Sequence, residues 1–140
     1  EKELTLSFVE SVTGGELSAR LTKNPGSSKV LKGSSIVYTN EAKKLLLEND
    51  INLKNWPQVT EVLSEKAIQD YASDLNLTIL GEAGPISSSK YGIGEIVITI
   101  SNNDKLVSTT HKLNGNREEI IQRAVNKALW ELIKFVKSLY

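Results

Sequence analysis

The 140-residue chain contains no cysteine, no methionine and one histidine, His111. Without cysteine it has no disulfide, no thiolate metal site and no thiol nucleophile. A single imidazole excludes both a histidine metal cluster and a paired-histidine acid/base system. No cofactor and no metal ligand is therefore expected. Excess charge of one sign is also lacking, because 17 Lys and Arg balance 17 Asp and Glu. That argues against bulk-charge binding to nucleic acid, which needs a basic surface, although a local basic patch stays open. No apolar run reaches the roughly 18 residues of a membrane span, and no signal peptide is visible. No membrane partner is expected, and the expected compartment is a reducing, cytoplasmic one. With no methionine at its start, the sequence is expected to continue upstream.

What is present reads as one domain over residues 1–140, long enough to bury a sizeable core. "LTLSFVES" (4–11) alternates and predicts a strand running to about Glu10. "ELSARLTK" (16–23) has helical spacing, and "NPGSS" (24–28) is a stop-and-turn signal. A strand follows over 30–39 with an irregularity at Gly33, then a short helix over 40–49 capped by Asn40. "NWPQV" (55–59) reads as a loop, with Thr60 capping a helix over 61–75. A buried-type strand over 77–85 breaks at Gly81, and "ISSSKYG" (86–92) reads as a mobile polar loop. Strands over 94–102 and 105–113 form a hairpin, and a long amphipathic helix covers 117–139. This order predicts an α/β fold, a three-layer α/β/α sandwich around a mixed sheet. Ligands of such sheets sit beyond strand ends, where loops meet helix N-termini.

Several stretches on those loops carry chemistry. "ESVTGG" (10–15) joins a strand end to a helix. Ser11 and Thr13 supply hydroxyls there, and Gly14 and Gly15 permit close backbone approach to a phosphate or oxyanion. The same turn is also explained as an ordinary capped turn, and it lacks the spacing of a P-loop. "PGSS" (25–28) is explained as a plain turn. Lys43 falls in the first turn of a predicted helix, where backbone N–H groups disfavour a cation. Either its side chain bends away into water, or burial and the helix end lower its pKa and make it a neutral base. A Lys base beside a Ser nucleophile is an established activation scheme, and Tyr38 stands five residues upstream to relay a proton. Arg117 opens the last helix, either as a solvated side chain or as an arm reaching for an anion. His111, alternating with Thr109 and Leu113 on one strand face, reads as a structural hydrogen-bonder. Glu118, Glu119, Gln122 and Arg123 read as the solvated face of the last helix.

Together these blocks resemble the CinA C-terminal domain family. The matching segments are "ESVTGG" (10–15), "PGSS" (25–28), "YTNEAK" (38–43), "VTE" (59–61), "LGEAGP" (80–85), "GEI" (94–96) and "NGNR" (114–117). They come in the family's order and span nearly the whole chain. The stand-alone form of the family hydrolyses the carboxamide of nicotinamide mononucleotide (NMN), giving nicotinate mononucleotide and ammonia. The resemblance thus implies an amidohydrolase with a small nucleotide substrate, acting as a homo-oligomer. It implies a site of Ser11, Ser28, Tyr38, Lys43 and Arg117, with Lys43 as general base. Ser28 is favoured as the nucleophile with Ser11 bridging, and the reverse assignment is open. Thr13, Gly14 and Gly15 would hold an oxyanion or position substrate, joined by Gly84 of the "LGEAGP" block. Arg117 would meet the phosphate or orient the pocket.

The chain departs from the family pattern on loops expected to face the ligand. Val12 replaces a Cys, while Thr39 and Thr60 each replace a Ser and keep a hydroxyl. Leu80 stands in place of Thr, and Glu82 where an apolar residue is usual. Glu95 replaces a Thr, and Asn114 and Asn116 replace Pro and Asp. Glu82 would bring negative charge towards a phosphorylated substrate if it points inward. The alternative reading is a catalytically inactive member that binds a nucleotide or a protein.

Overall fold

The computed structural model describes residues 3–48, 50–87 and 89–140. Strand β1 is Leu6–Glu10, followed by helix α1, Glu16–Thr22, and a short 3-10 turn at Ser27–Lys29. Next come β2 (Leu31–Ile36), α2 (Asn40–Leu46) and α3 (Trp56–Tyr71). The chain continues through β3 (Leu75–Gly81), β4 (Glu95–Ser101), β5 (Leu106–Lys112) and α4 (Arg117–Lys137). The five strands form one mixed sheet in the order β2-β1-β3-β4-β5. β1 is parallel to both β2 and β3, while β4 is antiparallel to β3 and to β5. Every strand except β4 therefore runs in the same direction.

Strand alternation sorts the core into two layers. Leu6, Phe8, Leu77, Ile79, Ile96 and Ile98 face Leu17 of α1 and Ile120, Ala124 and Ala128 of α4. Val9, Leu80 and Val97 face Trp56, Val59 and Leu63 of α3, with Leu46 and Leu47 at the end of α2. The result is the expected α/β/α sandwich. Under α3 the sheet also carries polar residues that satisfy one another. The Thr78 hydroxyl donates to Asn76 Oδ1 (2.7 Å) and accepts from the Ser64 hydroxyl (3.0 Å). Thr99 donates to the Thr60 hydroxyl at 2.7 Å.

Local differences from the sequence reading have physical causes. α3 starts at Trp56, not after Thr60, because Asn55 Oδ1 accepts from the Gln58 N–H and Pro57 fits the first turn without needing an N–H donor. Thr60 is buried inside the helix and its hydroxyl donates to the Pro57 carbonyl (2.8 Å). α2 is capped by Thr39, whose Oγ1 accepts from the Ala42 N–H, and Asn40 is the first helical residue. The irregularity at Gly33 is a shift of register between β1 and β2. A side chain there would collide with the Tyr71 ring, 2.4 Å from where its Cβ would lie.

Candidate active site

β1 lies between β2 and β3, so the chain leaves β1 in one direction along the sheet and later returns on the other side. The crevice beyond the C-terminal end of such a strand is where open α/β sheets bind ligands. Ser11 follows β1, Val37 and Tyr38 follow β2, and Glu82 follows β3, all at this end of the sheet. β5 runs the same way and delivers Arg117, at the start of α4, to the same end. A cavity of about 720 Å³ opens here. Ser11, Tyr38, Lys43, Trp56, Glu82 and Arg117 contribute to its wall.

Ser11 and Lys43 meet on the buried floor. Lys43 is only 6% exposed, and its Nζ donates to Ser11 Oγ at 3.3 Å. Burial holds the Lys43 pKa below its ordinary value, because the charged form loses hydration. A poorly solvated amine beside a hydroxyl is the arrangement a lysine base requires. Among the described residues no carboxylate forms an ion pair with Lys43.

Tyr38 and Arg117 close one side of the cavity. Arg117 Nη1 donates to the Gly84 carbonyl at 2.5 Å and Nη2 to the Tyr38 hydroxyl at 2.7 Å. Arg117 thus ties the "LGEAGP" loop to the start of α2. Its position follows from the helix start, where Asn116 and Glu119 form a reciprocal capping box. Gly84 has φ +75°, and a Cβ would press on the Ile93 side chain at 2.9 Å. Its contribution to the site is this carbonyl.

The "ESVTGG" turn is organised from behind by Glu10. This carboxylate is fully buried and accepts from the Thr13 hydroxyl (2.6 Å), the Leu17 N–H (2.9 Å), the Ser18 N–H (3.0 Å) and the Ser18 hydroxyl (2.5 Å). Two of these donors are backbone groups near the start of α1, where a negative charge is stabilised. Thr13 is thereby turned into the protein. The Gly14 N–H donates to the Ser11 carbonyl at 3.0 Å, and Gly14 and Gly15 take left-handed φ values of 57° and 102°. None of Thr13, Gly14 and Gly15 lines the cavity. In this structure they shape the turn that presents Ser11.

Ser28 lies elsewhere. It sits in the 3-10 turn before β2, and β2 runs parallel to β1 with Leu31 beside Leu6 and Ile36 beside Glu10. It is therefore at the opposite end of the sheet from Ser11, a strand length of roughly 13 Å or more away. Ser28 does not line the cavity and cannot reach Lys43 within one chain. Of the five implied residues the fold brings four together, and Ser28 is left out.

Glu82 does line the cavity, and its carboxylate accepts from the Ser89 hydroxyl at 3.1 Å. Leu80 is a buried wall residue, and Val12 packs into the core next to Gly81. Asn116 caps α4, its Oδ1 accepting from the Glu119 N–H. His111 stands apart on β5, with Nε2 2.9 Å from the Thr109 hydroxyl and 3.9 Å from Glu131. Burial lowers its pKa, with Lys127 and Lys134 acting in the same sense and Glu131 opposing. The sequence reading missed Trp56 and Tyr91, whose rings stack with centroids 3.8 Å apart and planes within 10°. Their contact joins the start of α3 to the residues just ahead of β4. Both are among the chain's few large aromatics, which is the only signal that singled them out.

Comparison with known proteins agrees with this architecture. Residues 1–136 match the sequence model of the CinA C-terminal domain. A "CinA-like protein" of Petrotoga mobilis is 34% identical over 97% of this chain and 35% of its own length. One from Endomicrobium trichonymphae is 36% identical over 92% of this chain and 32% of its own length. The chain therefore spans about a third of the length of these curated relatives. Among solved structures, a competence damage-inducible protein A from Klebsiella pneumoniae superposes with a TM-score of 0.87, at 19% identity over 96% of this chain and 88% of that one. A competence/damage inducible protein from Agrobacterium tumefaciens gives 0.83, at 25% identity over 94% of this chain and 85% of that one. With the sequence match covering nearly its whole length, the chain belongs to the CinA C-terminal domain family.

Proposed function

We propose that this chain, acting as a single cytoplasmic domain and assembling as a homo-oligomer, is an amidohydrolase that converts NMN to nicotinate mononucleotide and ammonia. Ser11 is the nucleophile and Lys43 the general base. The observation that carries the reading is the 3.3 Å contact between Lys43 Nζ and Ser11 Oγ on the buried floor of a 720 Å³ cavity. Ligand pockets generally fall between about 300 and 1,000 Å³, so a mononucleotide is of suitable size.

In this mechanism neutral Lys43 takes the proton from Ser11 Oγ as the oxygen attacks the carboxamide carbon. The resulting ammonium lies beside the developing oxyanion and offsets its charge. Lys43 then passes the proton to the departing nitrogen, which leaves as ammonia. Water, deprotonated by Lys43, cleaves the acyl-serine ester and restores the hydroxyl. Arg117 holds the Tyr38 hydroxyl and the Gly84 carbonyl in place, which keeps two sides of the cavity in register. No cofactor takes part.

The test is ammonia release from NMN by the purified chain, beside nicotinamide riboside and nicotinamide. Release from NMN that vanishes in Ser11→Ala is the expected result; full release in that variant overturns the assignment. A second reading, a catalytically inactive member that binds a nucleotide or a protein partner, draws support from the Glu82 carboxylate in the cavity, which opposes turnover of a phosphorylated substrate. NMN binding with no ammonia release, or no NMN binding at all, selects it.

A further inference from the structure

Resting on the mononucleotide reading, we infer that Lys54 and Lys90 form the anion-binding end of the cavity and take the phosphomonoester of the substrate. Four basic side chains line the cavity, Lys43, Lys54, Lys90 and Arg117, against the single carboxylate of Glu82 among the described residues. Two of the four are already engaged. Lys43 serves Ser11 on the floor, and the two terminal nitrogens of Arg117 each donate one hydrogen bond, to the Gly84 carbonyl and the Tyr38 hydroxyl. These two hydrogen bonds make the guanidinium a brace, held in position against Gly84 and Tyr38. Lys54 and Lys90 remain. Among the described residues neither ammonium has a carboxylate partner.

These lysines belong to a braced structure, although they come from two loops far apart in sequence. The Tyr91 hydroxyl donates to the Lys54 carbonyl at 3.0 Å and accepts from the Trp56 N–H at 3.1 Å. Its ring stacks on Trp56, and Lys90 Nζ lies 5.4 Å from the ring centroid. One aromatic pair thus fixes the backbone at Lys54 and the position of the Lys90 ammonium together. The 16-residue α3 starts at Trp56, so the positive end of its dipole adds to the potential in this corner. Two ammoniums on flexible stems suit the three oxygens of a phosphomonoester, which need charge more than a fixed fork geometry. The substrate then spans the cavity, with its carboxamide at Ser11 and its phosphate at the loop end. Glu82, bonded to Ser89 next to Lys90, is the one opposing charge and tempers the affinity.

The experiment combines calorimetry with kinetics. Ribose 5-phosphate and ribose are titrated into the wild type, Lys54→Ala, Lys90→Ala, the double variant and Glu82→Gln. Ammonia release is followed on NMN and nicotinamide riboside. Ribose 5-phosphate is expected to bind and ribose not to. Affinity should fall about ten-fold in each single lysine variant and about a hundred-fold in the double one, and should rise several-fold in Glu82→Gln. The kcat/KM preference for NMN over nicotinamide riboside should collapse by the same factors, mainly through KM. Lys44→Ala, exposed on α2 outside the cavity, controls for general charge effects and should move neither quantity. A double variant that binds ribose 5-phosphate within two-fold of the wild type overturns the site, as does a wild type that does not bind it. Lysine-dependent binding without ammonia release from NMN keeps the anion site and sinks the amidase reading. Full NMN turnover with an unchanged KM in the double variant does the reverse.

Discussion

Replacing Lys43 with methionine should abolish activity and make the protein more stable. The two side chains have similar length, so Met fills the space of the lysine stem without its charge. At neutral pH the folded wild type bears the cost of keeping a poorly hydrated amine on the cavity floor, where Lys43 is 6% exposed. A fully buried ammonium costs several kcal/mol, but this Nζ borders an open cavity and contacts a hydroxyl, so about 1 kcal/mol is the appropriate figure. For a chain of this length an unfolding entropy of about 0.3 kcal/mol/K converts that into a rise in Tm of about 3 °C. The sign of its pH dependence follows from the lowered pKa. Between the folded pKa and the ordinary value of 10.5 the unfolded chain holds the extra proton, so wild-type stability rises with pH across that window. The advantage of Lys43→Met should therefore be greatest below the folded pKa and shrink as pH approaches 10.5. Loss of the base should lower ammonia release by about 10²–10⁴-fold. Calorimetric melting at several pH values, with ammonia assays on the same samples, measures both effects. A folded Lys43→Met protein that melts below the wild type at pH 7, or that keeps most of its turnover, refutes the argument.

Further expectations concern the rest of the site. Ser11→Ala should lose ammonia release, whereas Ser28→Ala should retain it within a few-fold, since Ser28 lies at the other end of the sheet; equal losses in both would contradict this placement. The kcat/KM profile should rise with pH through one ionisation below 10.5, as Lys43 loses its proton, and a flat profile would remove a titrating base from the mechanism. Arg117→Lys cannot bridge the Gly84 carbonyl and the Tyr38 hydroxyl together and should cost about ten-fold in kcat/KM, with Tyr38→Phe costing less; kinetics on the two variants ranks them. Glu10→Ala strands four donors at the start of α1 and should destabilise the fold by about 3 kcal/mol, read from denaturant midpoints.

Much of the fold could be read from local patterns, and the errors show where such patterns compete. The strands lie within a residue or two of their expected limits at most ends, because alternation and β-branched content mark half-buried and buried strands directly. β3 starts two residues early and stops at the expected break, Gly81, where a side chain would press into Ile96 and Val12. The start of α3 was obscured by Pro57, read as loop punctuation. Asn55 followed by a first-turn proline is equally a helix start, and the buried Trp56 shows which reading the core favours. Thr60 resembles a cap in sequence, yet its hydroxyl serves Pro57 and Thr99. A side chain able to close a helix end is also able to satisfy a buried interface.

The site was legible where neighbours in sequence are neighbours in space, and illegible where the sheet decides. Ser28 is next to a serine-rich turn that looks chemical, but a residue before a parallel strand and a residue after its parallel neighbour lie at opposite ends of the sheet. The βαβ order therefore already argued against pairing Ser28 with Lys43. Trp56 and Tyr91 are 35 residues apart, and nothing in either loop announces the other. Lys43 is the informative case. A cation early in a helix is a local misfit, and local misfits in native chains concentrate where function outweighs stability. In the structure Lys43 falls in the last turn of the seven-residue α2, where the helix end favours a cation, so the misfit is one of hydration. Burial pushes towards the uncharged amine, and the hydroxyl of Ser11 stands 3.3 Å away. A solvated lysine would have needed neither the short helix nor the serine at that spacing, and its side chain would have been found on the surface with Lys44.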